Sequence, residues 1–435
     1  MRKAWVLDVL AEKAAFWDDG HSHLFGEGVG MSTVERTATR VLGFNSMEMD
    51  FQLMRALGTA TYGGGAEGEI FHARRLVDDE APERWSTAFA SIGERVRALG
   101  ERAERKRHFV SAREHFLRAS MYYRAAEYFA DPFGEEGRRW GLASRATFIA
   151  GTRHLADRIE PVVTPFEGLE LPGYFMTPAG GARNGRTLVV MTGFDGTGEE
   201  LYFESGRAGL ERGYNVFVTE GPGQVGTLRL HPGLVFRPDY EHPISAMLDM
   251  VLARPEVNPE ALALYGMSFG GCFTLRAAAH DDRIRALILN SPIIDLHAYM
   301  AAFIGPDLAS DPPPLTLAGL DSISEADMPP VVRHAFKSSC RRFGVDSLAG
   351  YLRQLEAYTA VESVPSVRCP SLAMVGTGEG EEAMNQFERY CDTVSGPVTR
   401  RIFTVEEGAD MHCQRGNLPL ACSVVYDWLD ELFGH

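Results

Sequence analysis

The chain has 435 residues, of which 45% are hydrophobic, and a formal net charge of −16 from 43 basic and 59 acidic side chains. This composition is typical of a globular protein with a large buried core and two or three structural units. The negative surface repels phosphate backbones and anionic lipid, which argues against nucleic-acid binding and membrane association. The six cysteines show neither a CxxC pair nor the spacing of a zinc site, so we expect buried, reduced thiols in a cytoplasmic protein without a metal or other cofactor.

The first 160 residues are predicted to form a helical domain, because proline is scarce there and apolar residues recur at helical spacing. The N-terminus begins with basic residues, but Asp8, Glu12 and Lys13 interrupt the apolar run, which argues against a signal peptide. In SAREHFLRASMYYRAAEYFA, small and aromatic residues recur on one helix face at spacings of four and three: Ala112, Phe116, Ala119, Tyr123 and Ala126. This face is suited either to core packing or to lining a ligand cavity.

From residue 161 to 435, short apolar strands alternate with helical segments. VVTPFEGLELPGYFMTP predicts two strands around a turn at Glu167–Gly168, and further strands are predicted in RTLVVMTG, YNVFVTEG, ALALYGMS, IRALILNSP, SLAMVGTG and TRRIFTVEEG. This alternation predicts an α/β fold, in which a mostly parallel central sheet carries helices on both faces. The interval from about 293 to 363 breaks the pattern, and we expect it to form a helical cap over the carboxyl edge of the sheet, where ligands bind in such folds.

The strand ALALYG runs into the sequence GMSFG at residues 266–270 and then into a predicted helix. The pattern G-x-S-x-G between a strand and a helix is typical of a nucleophile elbow. Ser268 is therefore the candidate nucleophile. The backbone amide of Phe269, at the N-terminus of the helix, is a candidate donor to an oxyanion. Cys272 follows one turn later and is interpreted as a packing residue.

In a fold with this elbow, the acid and then the base follow the nucleophile along the chain. His412 comes just after the last predicted strand and is the candidate base for the proton of Ser268. The acid is expected after the strand SLAMV, where VGTGEGEEAMNQ carries three carboxylates. Glu379 has the spacing G-x-x-E and is the first candidate, with Glu381 the next. Glu381 and Glu382 also suit the first turn of a helix, where the dipole favours acidic residues.

Four stretches, MTGFDGTGEE (191–200), EGPGQVG (220–226), GMSFGG (266–271) and EEGADMHCQ (406–414), together resemble the α/β-hydrolase superfamily. Within it, they are similar to the branch of 2,6-dihydroxypseudooxynicotine hydrolase, the fungal polyketide-shortening hydrolases and the fermentation-respiration switch type of esterase. The resemblance covers most of residues 110–435. Many relatives have Asp where this chain has Glu220 and Glu379, and EGPGQVG is either a simple strand-to-helix turn or part of a pocket wall.

The resemblance implies a triad of Ser268, Glu379 and His412, with a second oxyanion amide from Phe194 in the turn after TLVVMT. It also implies cleavage of an ester, or of a C–C bond next to a ketone, in secondary metabolism or aromatic catabolism, on a small aromatic or polyketide-like substrate. Acyl transfer by the same triad and a non-catalytic regulatory role are the alternatives, and relatives with such an N-terminal domain are often homodimers. The candidate substrate-binding residues are Asp195, Tyr123, Phe129 and Tyr202, of which the three aromatic residues are equally suited to core packing.

Overall fold

The computed structural model describes residues 34–77, 81–325 and 327–434, and its centre is a single eight-stranded sheet. The strands are β1 Arg158–Phe166, β2 Leu169–Thr177, β3 Thr187–Met191, β4 Asn215–Thr219, β5 Leu262–Met267, β6 Ala286–Asn290, β7 Ser371–Gly376 and β8 Val398–Phe403. Their spatial order is β1-β2-β4-β3-β5-β6-β7-β8, and every pairing from β4 across to β8 is parallel. The predicted mostly parallel sheet is confirmed.

Strands β1 and β2 form an antiparallel hairpin at one edge of the sheet. The predicted turn residues, Glu167 and Gly168, both have positive φ, of 48° and 79°. A two-residue turn with this backbone matches the right-handed twist of the strands that it joins. Strand β2 then pairs antiparallel with β4, so the hairpin extends the parallel part of the sheet.

A helical layer with its own apolar core precedes the hairpin. Its helices are α1 Met47–Gly58, α2 Glu67–Arg74, α3 Pro82–Arg105, α4 Phe109–Tyr128 and α5 Glu135–Thr152. The sequence spacing predicts one apolar face of α4, and this face is buried in the structure. Its residues are Ala112, Phe116, Ala119, Tyr123 and Ala126. Of the residues predicted to be helical, 1–33 and 78–80 lie outside the described part of the chain.

The remaining helices alternate with the strands or form the insertion between β6 and β7. They are α6 Gly198–Leu201, α7 Arg207–Glu211, α8 Val225–Leu230, α9 Glu241–Leu252, α10 Phe269–His280, α11 Leu296–Ile304, α12 Pro306–Ser310, α13 Pro330–Arg342, α14 Leu348–Leu355, α15 Glu381–Thr393 and α16 Leu418–Phe433. A π-helical turn, Tyr202–Gly206, joins α6 to α7, so one continuous helical segment follows β3, close to the predicted range of 199–212. Helices α11–α14 belong to the insertion, within the interval that breaks the strand–helix pattern of the sequence.

Alternate residues of the central strands face two separate apolar cores. Leu188 and Val190 of β3 lie in one core, and Val189 and Met191 lie in the other, as the two-residue period of a strand requires. Both faces are buried because helices cover both, which explains why the strands read as continuous apolar runs. The six cysteines are unpaired and five of them are buried, as expected. Within the described residues, no helix has the length and apolar character needed to cross a membrane.

Buried ion pairs join the helical layer to the sheet. Arg229 of α8 binds Glu127 of α4 through two hydrogen bonds of 2.6 and 2.5 Å. Arg55 of α1 binds Glu200 of α6 through two bonds of 2.5 and 2.7 Å. Paired contacts between a planar guanidinium and a carboxylate are directional, so these pairs set the orientation of the layer on the sheet as well as holding it there.

Candidate active site

Ser268 lies in the turn between β5 and α10, in a backbone conformation that non-glycine residues rarely adopt. Its φ and ψ are 57° and −128°, and its amide donates a hydrogen bond of 2.6 Å to the carbonyl oxygen of Asn290 on β6. The flanking glycines make this turn possible, since a Cβ on Gly270 would lie only 2.7 Å from the carbonyl oxygen of Met191. The geometry is that of a nucleophile elbow, which lifts the serine hydroxyl above the carboxyl edge of the sheet.

The turn that follows β3 lies directly against this elbow. The register of β3 and β5 aligns the ends of the two strands, so the residues just beyond them also meet. A Cβ on Gly193 would lie 2.6 Å from Cβ of Ser268 and 2.8 Å from the amide nitrogen of Phe269, so this close approach requires glycine. The next residue, Phe194, lines the same cavity as Ser268 and Phe269.

Side chains from three parts of the chain hold the carbonyl groups of this turn, residues 193–195. Gln224 donates to the first carbonyl at 3.0 Å, and Arg342 of α13 donates to the second at 2.5 Å. Arg124 of α4 donates to the third. These bonds fix the orientation of the peptide planes, which is the preorganisation that an amide donor to an oxyanion needs.

Glu379 is fully buried just after β7 and accepts three hydrogen bonds. One carboxylate oxygen accepts from the amide of Gly376 at 2.8 Å, and the other accepts from the hydroxyl of Ser291 at 2.8 Å and from Nδ1 of His412 at 2.5 Å. Because the carboxylate accepts at Nδ1, the basic nitrogen of the neutral imidazole is Nε2. Glu381, the second candidate for the acid, is exposed in the first turn of α15.

The pKa of His412 reflects this buried partner. Burial by itself lowers the pKa of the imidazole, but the neighbouring Cys413 and the Glu379 carboxylate oppose it and raise the pKa of His412 to about 10. A hydrogen-bonded carboxylate stabilises the imidazolium, which is the form that a general base passes through.

An N-terminal segment, residues 34–39, lies across the loops that carry Glu379 and His412. The amide of Glu35 donates to the carbonyl oxygen of Glu379 at 3.0 Å, and the amide of His412 donates to a carbonyl group of the segment at 2.8 Å. Asp410, which is fully buried, accepts four hydrogen bonds from the segment. Nothing in the local sequence predicts this arrangement, because it joins residues far apart in the chain, such as Thr37 and Asp410, which are 373 positions apart.

A cavity of about 660 Å³ lies at the elbow, a volume in the range of small-molecule sites. Ser268 and His412 line it together with side chains from the helical layer and from the insertion between β6 and β7. Its aromatic lining includes Phe51, Tyr128 and Phe129 from the layer, Phe194 and Phe269 from the sheet domain, and Tyr299, Phe303, Phe336 and Tyr351 from the insertion. The walls are therefore mainly apolar, with charged groups at a few positions.

The structure separates the candidate substrate-binding residues into two groups. Phe129 and Asp195 line the cavity. Tyr123 instead stacks on Trp140 within the helical layer, with ring centroids 5.8 Å apart. Tyr202 is buried in the core on the other side of the sheet, as part of an aromatic cluster. Both tyrosines pack within apolar cores. For Tyr123, helical spacing predicted burial, but such spacing does not tell which neighbour the buried face will meet.

Asp195 is held by Arg55 of α1 and by Arg36 of the segment 34–39. Its carboxylate lies 3.1 Å from Nη1 of Arg55 and 3.8 Å from Nη2 of Arg36. Burial raises the pKa of Asp195, but Arg55 and Arg36 outweigh that effect and hold the pKa far below its usual value. The residue thus anchors the turn at 193–195 to α1. No group of three or more His, Cys, Asp or Glu side chains suited to a metal ion occurs among the described residues.

Comparison with known proteins gives relatives that span almost the whole chain. The hydrolase LUC6 of a Fusarium species is 30% identical over 418 residues, which cover 90% of this chain and 98% of LUC6. The alpha/beta hydrolase psoB of Aspergillus fumigatus is 29% identical and covers 90% of this chain and 94% of its own. The model of the prolyl oligopeptidase family matches residues 242–317, a range that includes the elbow.

Solved structures show the same fold. The crystal structure of 2,6-dihydroxy-pseudo-oxynicotine hydrolase superposes with a TM-score of 0.64, covering 86% of this chain and 94% of its own, at 19% identity. Together with the extent of the similarity to LUC6, this agreement shows that the chain belongs to the α/β-hydrolase family, in the branch that its motifs indicate.

Proposed function

We propose that the protein is a serine hydrolase in which Ser268 is the nucleophile, His412 the base and Glu379 the acid. One observation carries the proposal. A buried carboxylate and imidazole lie 2.5 Å apart, and the imidazole lines the same cavity as a serine on a strained elbow. Such a constellation is recognised by its geometry and by the roles that it permits.

The proposed reaction starts when Oγ of Ser268 adds to a carbonyl carbon of the substrate and Nε2 of His412 takes the hydroxyl proton. The amides of Phe269 and Phe194 donate hydrogen bonds to the oxyanion. The intermediate then collapses: the bond to the leaving group breaks, the leaving group takes the proton from His412, and an acyl ester remains on Ser268. Water adds to this ester and gives a proton to His412. The bond between the acyl carbon and Oγ of Ser268 then breaks, Oγ takes that proton back from His412, and the acid product leaves.

The proposed substrate is a small acyl compound with an apolar or aromatic body, cleaved at an ester or at a C–C bond next to a ketone. The volume of the cavity and its aromatic lining support this class. The solved relative is, by its name, a hydrolase of 2,6-dihydroxy-pseudo-oxynicotine. The two reactions differ in the leaving group, which is an alkoxide from an ester and a carbanion from the C–C bond.

Covalent labelling tests the nucleophile. The protein, Ser268→Ala and Ser338→Ala are each treated with a fluorophosphonate and their intact masses are recorded. Ser338 also lines the cavity but has no part in the proposed chemistry, so its variant is the matched control. We expect one adduct on the wild type and on Ser338→Ala, and none on Ser268→Ala. An unlabelled wild type contradicts the proposal and favours a non-catalytic role.

A substrate panel then separates the reactions. Aryl esters and aryl β-diketones are incubated with the enzyme in water enriched in ¹⁸O, and the products are identified by mass spectrometry. Hydrolysis places one labelled oxygen in the acid product, whichever bond breaks. An unlabelled acyl product formed only when an alcohol or thiol is added would instead indicate acyl transfer.

A further inference from the structure

Arg342, the last residue of α13, brings a guanidinium group to the cavity wall. The residue is only 5% exposed, and its Nη1 donates to the carbonyl oxygen of Phe194 at 2.5 Å. The guanidinium carbon lies 4.7 Å from the centre of the Phe194 ring. Its Nε is buried and has no hydrogen-bond partner among the described residues. Within residues 34–77, 81–325 and 327–434, no carboxylate forms an ion pair with Arg342.

The other arginines that line the cavity are all neutralised. Arg36 pairs with Glu48, Arg55 with Glu200 and Asp195, Arg124 with Glu200 and Glu127, and Arg415 with Glu204. Their carboxylate partners are therefore already engaged. In the described part of the chain, Arg342 alone among these arginines lacks an anion.

Burying a charge that has no ion-pair partner is costly. Burial lowers the pKa of Arg342 to about 10, although Asp195 acts to raise it. The guanidinium is still protonated at neutral pH. The insertion therefore holds a cation beside the proposed oxyanion turn, at a position where an anionic ligand would be stabilised.

We propose that Arg342 binds an anionic oxygen group of the substrate, such as a carboxylate or an ionised enol or phenol, close to the carbonyl that is cleaved. The inference rests on the proposed function of the same site. Closeness follows from the contact with Phe194, whose amide is proposed to bind the oxyanion. With Nη1 engaged there, a carboxylate on the edge formed by Nε and Nη2 would satisfy the unpartnered Nε.

Two pairs of esters test this inference. Mono-4-nitrophenyl glutarate and its methyl ester differ by a carboxylate on the acyl side, whereas 3-acetoxybenzoate and its methyl ester differ by one on the leaving-group side. Arg342→Met removes the charge and keeps most of the length, and Arg342→Lys keeps the charge. Arg341→Met is the matched control, because Arg341 is more exposed and binds Asp131.

We expect the wild type to prefer the anionic member of at least one pair. Arg342→Met should lower kcat/KM for that member roughly 10- to 100-fold more than for the neutral member, with the difference mainly in KM, because any loss through the bond to Phe194 is common to both members. Arg342→Lys should restore part of the preference, and Arg341→Met should keep it. A purely structural role, through the bond to Phe194, would instead weaken both members equally, and this result would overturn the inference.

Two further measurements keep the outcome decisive. Fluorophosphonate labelling of the same proteins reports on the nucleophile, so labelling without any anion preference rejects the role of Arg342 and leaves the proposed function standing. Competitive inhibition of the wild type by benzoate and by benzamide needs no variant, and covers the case in which Arg342→Met does not fold. Stronger inhibition by benzoate supports the inference, and equal inhibition by the two compounds opposes it.

Discussion

Replacing Glu379 by glutamine removes a charge without changing the shape of the side chain. The effect on His412 follows from the hydrogen bonds of the carboxylate. The carboxylate accepts from three donors, which are the amide of Gly376, the hydroxyl of Ser291 and Nδ1 of His412. A glutamine has one oxygen and one NH2 group. It therefore cannot accept from all three, and its orientation decides which contacts survive.

One orientation of the glutamine is preferred. If its oxygen faces Ser291 and His412, its NH2 group faces the backbone N–H of Gly376. Both groups are donors, so the N–H of Gly376 loses its hydrogen bond, which costs about 1–3 kcal/mol. In the opposite orientation the oxygen keeps Gly376, while the Ser291 hydroxyl rotates to accept and His412 accepts at Nδ1 by moving its proton to Nε2. The second orientation avoids the unsatisfied amide, and it gives His412 the wrong tautomer for a base.

We expect Glu379→Gln to remain folded at 25 °C and to lose roughly 10³- to 10⁴-fold in kcat, the scale of a triad whose imidazole is held in the wrong tautomer. The assay is hydrolysis of 4-nitrophenyl acetate at pH 8, together with the rate of fluorophosphonate labelling. Glu381→Gln is the control, because Glu381 is exposed, and its kcat should stay within twofold of the wild-type value. A kcat for Glu379→Gln within tenfold of the wild type would refute this reasoning.

Four further expectations concern pH and packing. Because the base acts in its neutral form and the pKa of His412 is raised to about 10, kcat/KM should keep rising with pH well above 6.5, and a plateau reached by pH 7 would contradict this. The same shift stabilises the folded state fully below about pH 6.5, the ordinary value for an imidazole, and that contribution is lost as pH rises through 10, which urea unfolding at a series of pH values measures. Gly266→Ala would place a Cβ against the backbone of Gly270, so we expect at least a 100-fold slower labelling of the elbow serine, and labelling at the normal rate would disprove the close approach. Glu127→Gln leaves the buried Arg229 with one remaining carboxylate and should lower the free energy of unfolding by about 3 kcal/mol in urea, whereas a change below 1 kcal/mol would show that the pair contributes little.

Much of the framework could be read from local patterns. The hairpin turn at Glu167–Gly168, the strand before Ser268 and the helix after it all follow from a few consecutive residues, since turn chemistry and side-chain period act over short distances. The order of the candidate acid and base along the chain pointed to Glu379 and His412, and the structure brings these two side chains within 2.5 Å of each other. Their catalytic roles remain a prediction.

The lining of the cavity could not be read in this way. The spacing of aromatic residues in α4 predicted a buried face, and the face is buried, but Tyr123 meets Trp140 instead of a ligand. Tyr202 was likewise expected near the site and lies in the core on the other side of the sheet. Periodicity identifies which side of a helix is covered and carries no information on what covers it.

Local sequence patterns were enough to predict the strands, the elbow at Ser268 and the positions where an acid and a base follow it, because each depends on short-range geometry. It took the three-dimensional structure to show that residues 34–39 bind the loops of Glu379 and His412, and that Arg342 reaches Phe194 with no ion-pair partner in the described part of the chain. These contacts join residues far apart in the chain. Their existence depends on how the helical layer and the insertion settle on the sheet, which the packing of the whole molecule decides.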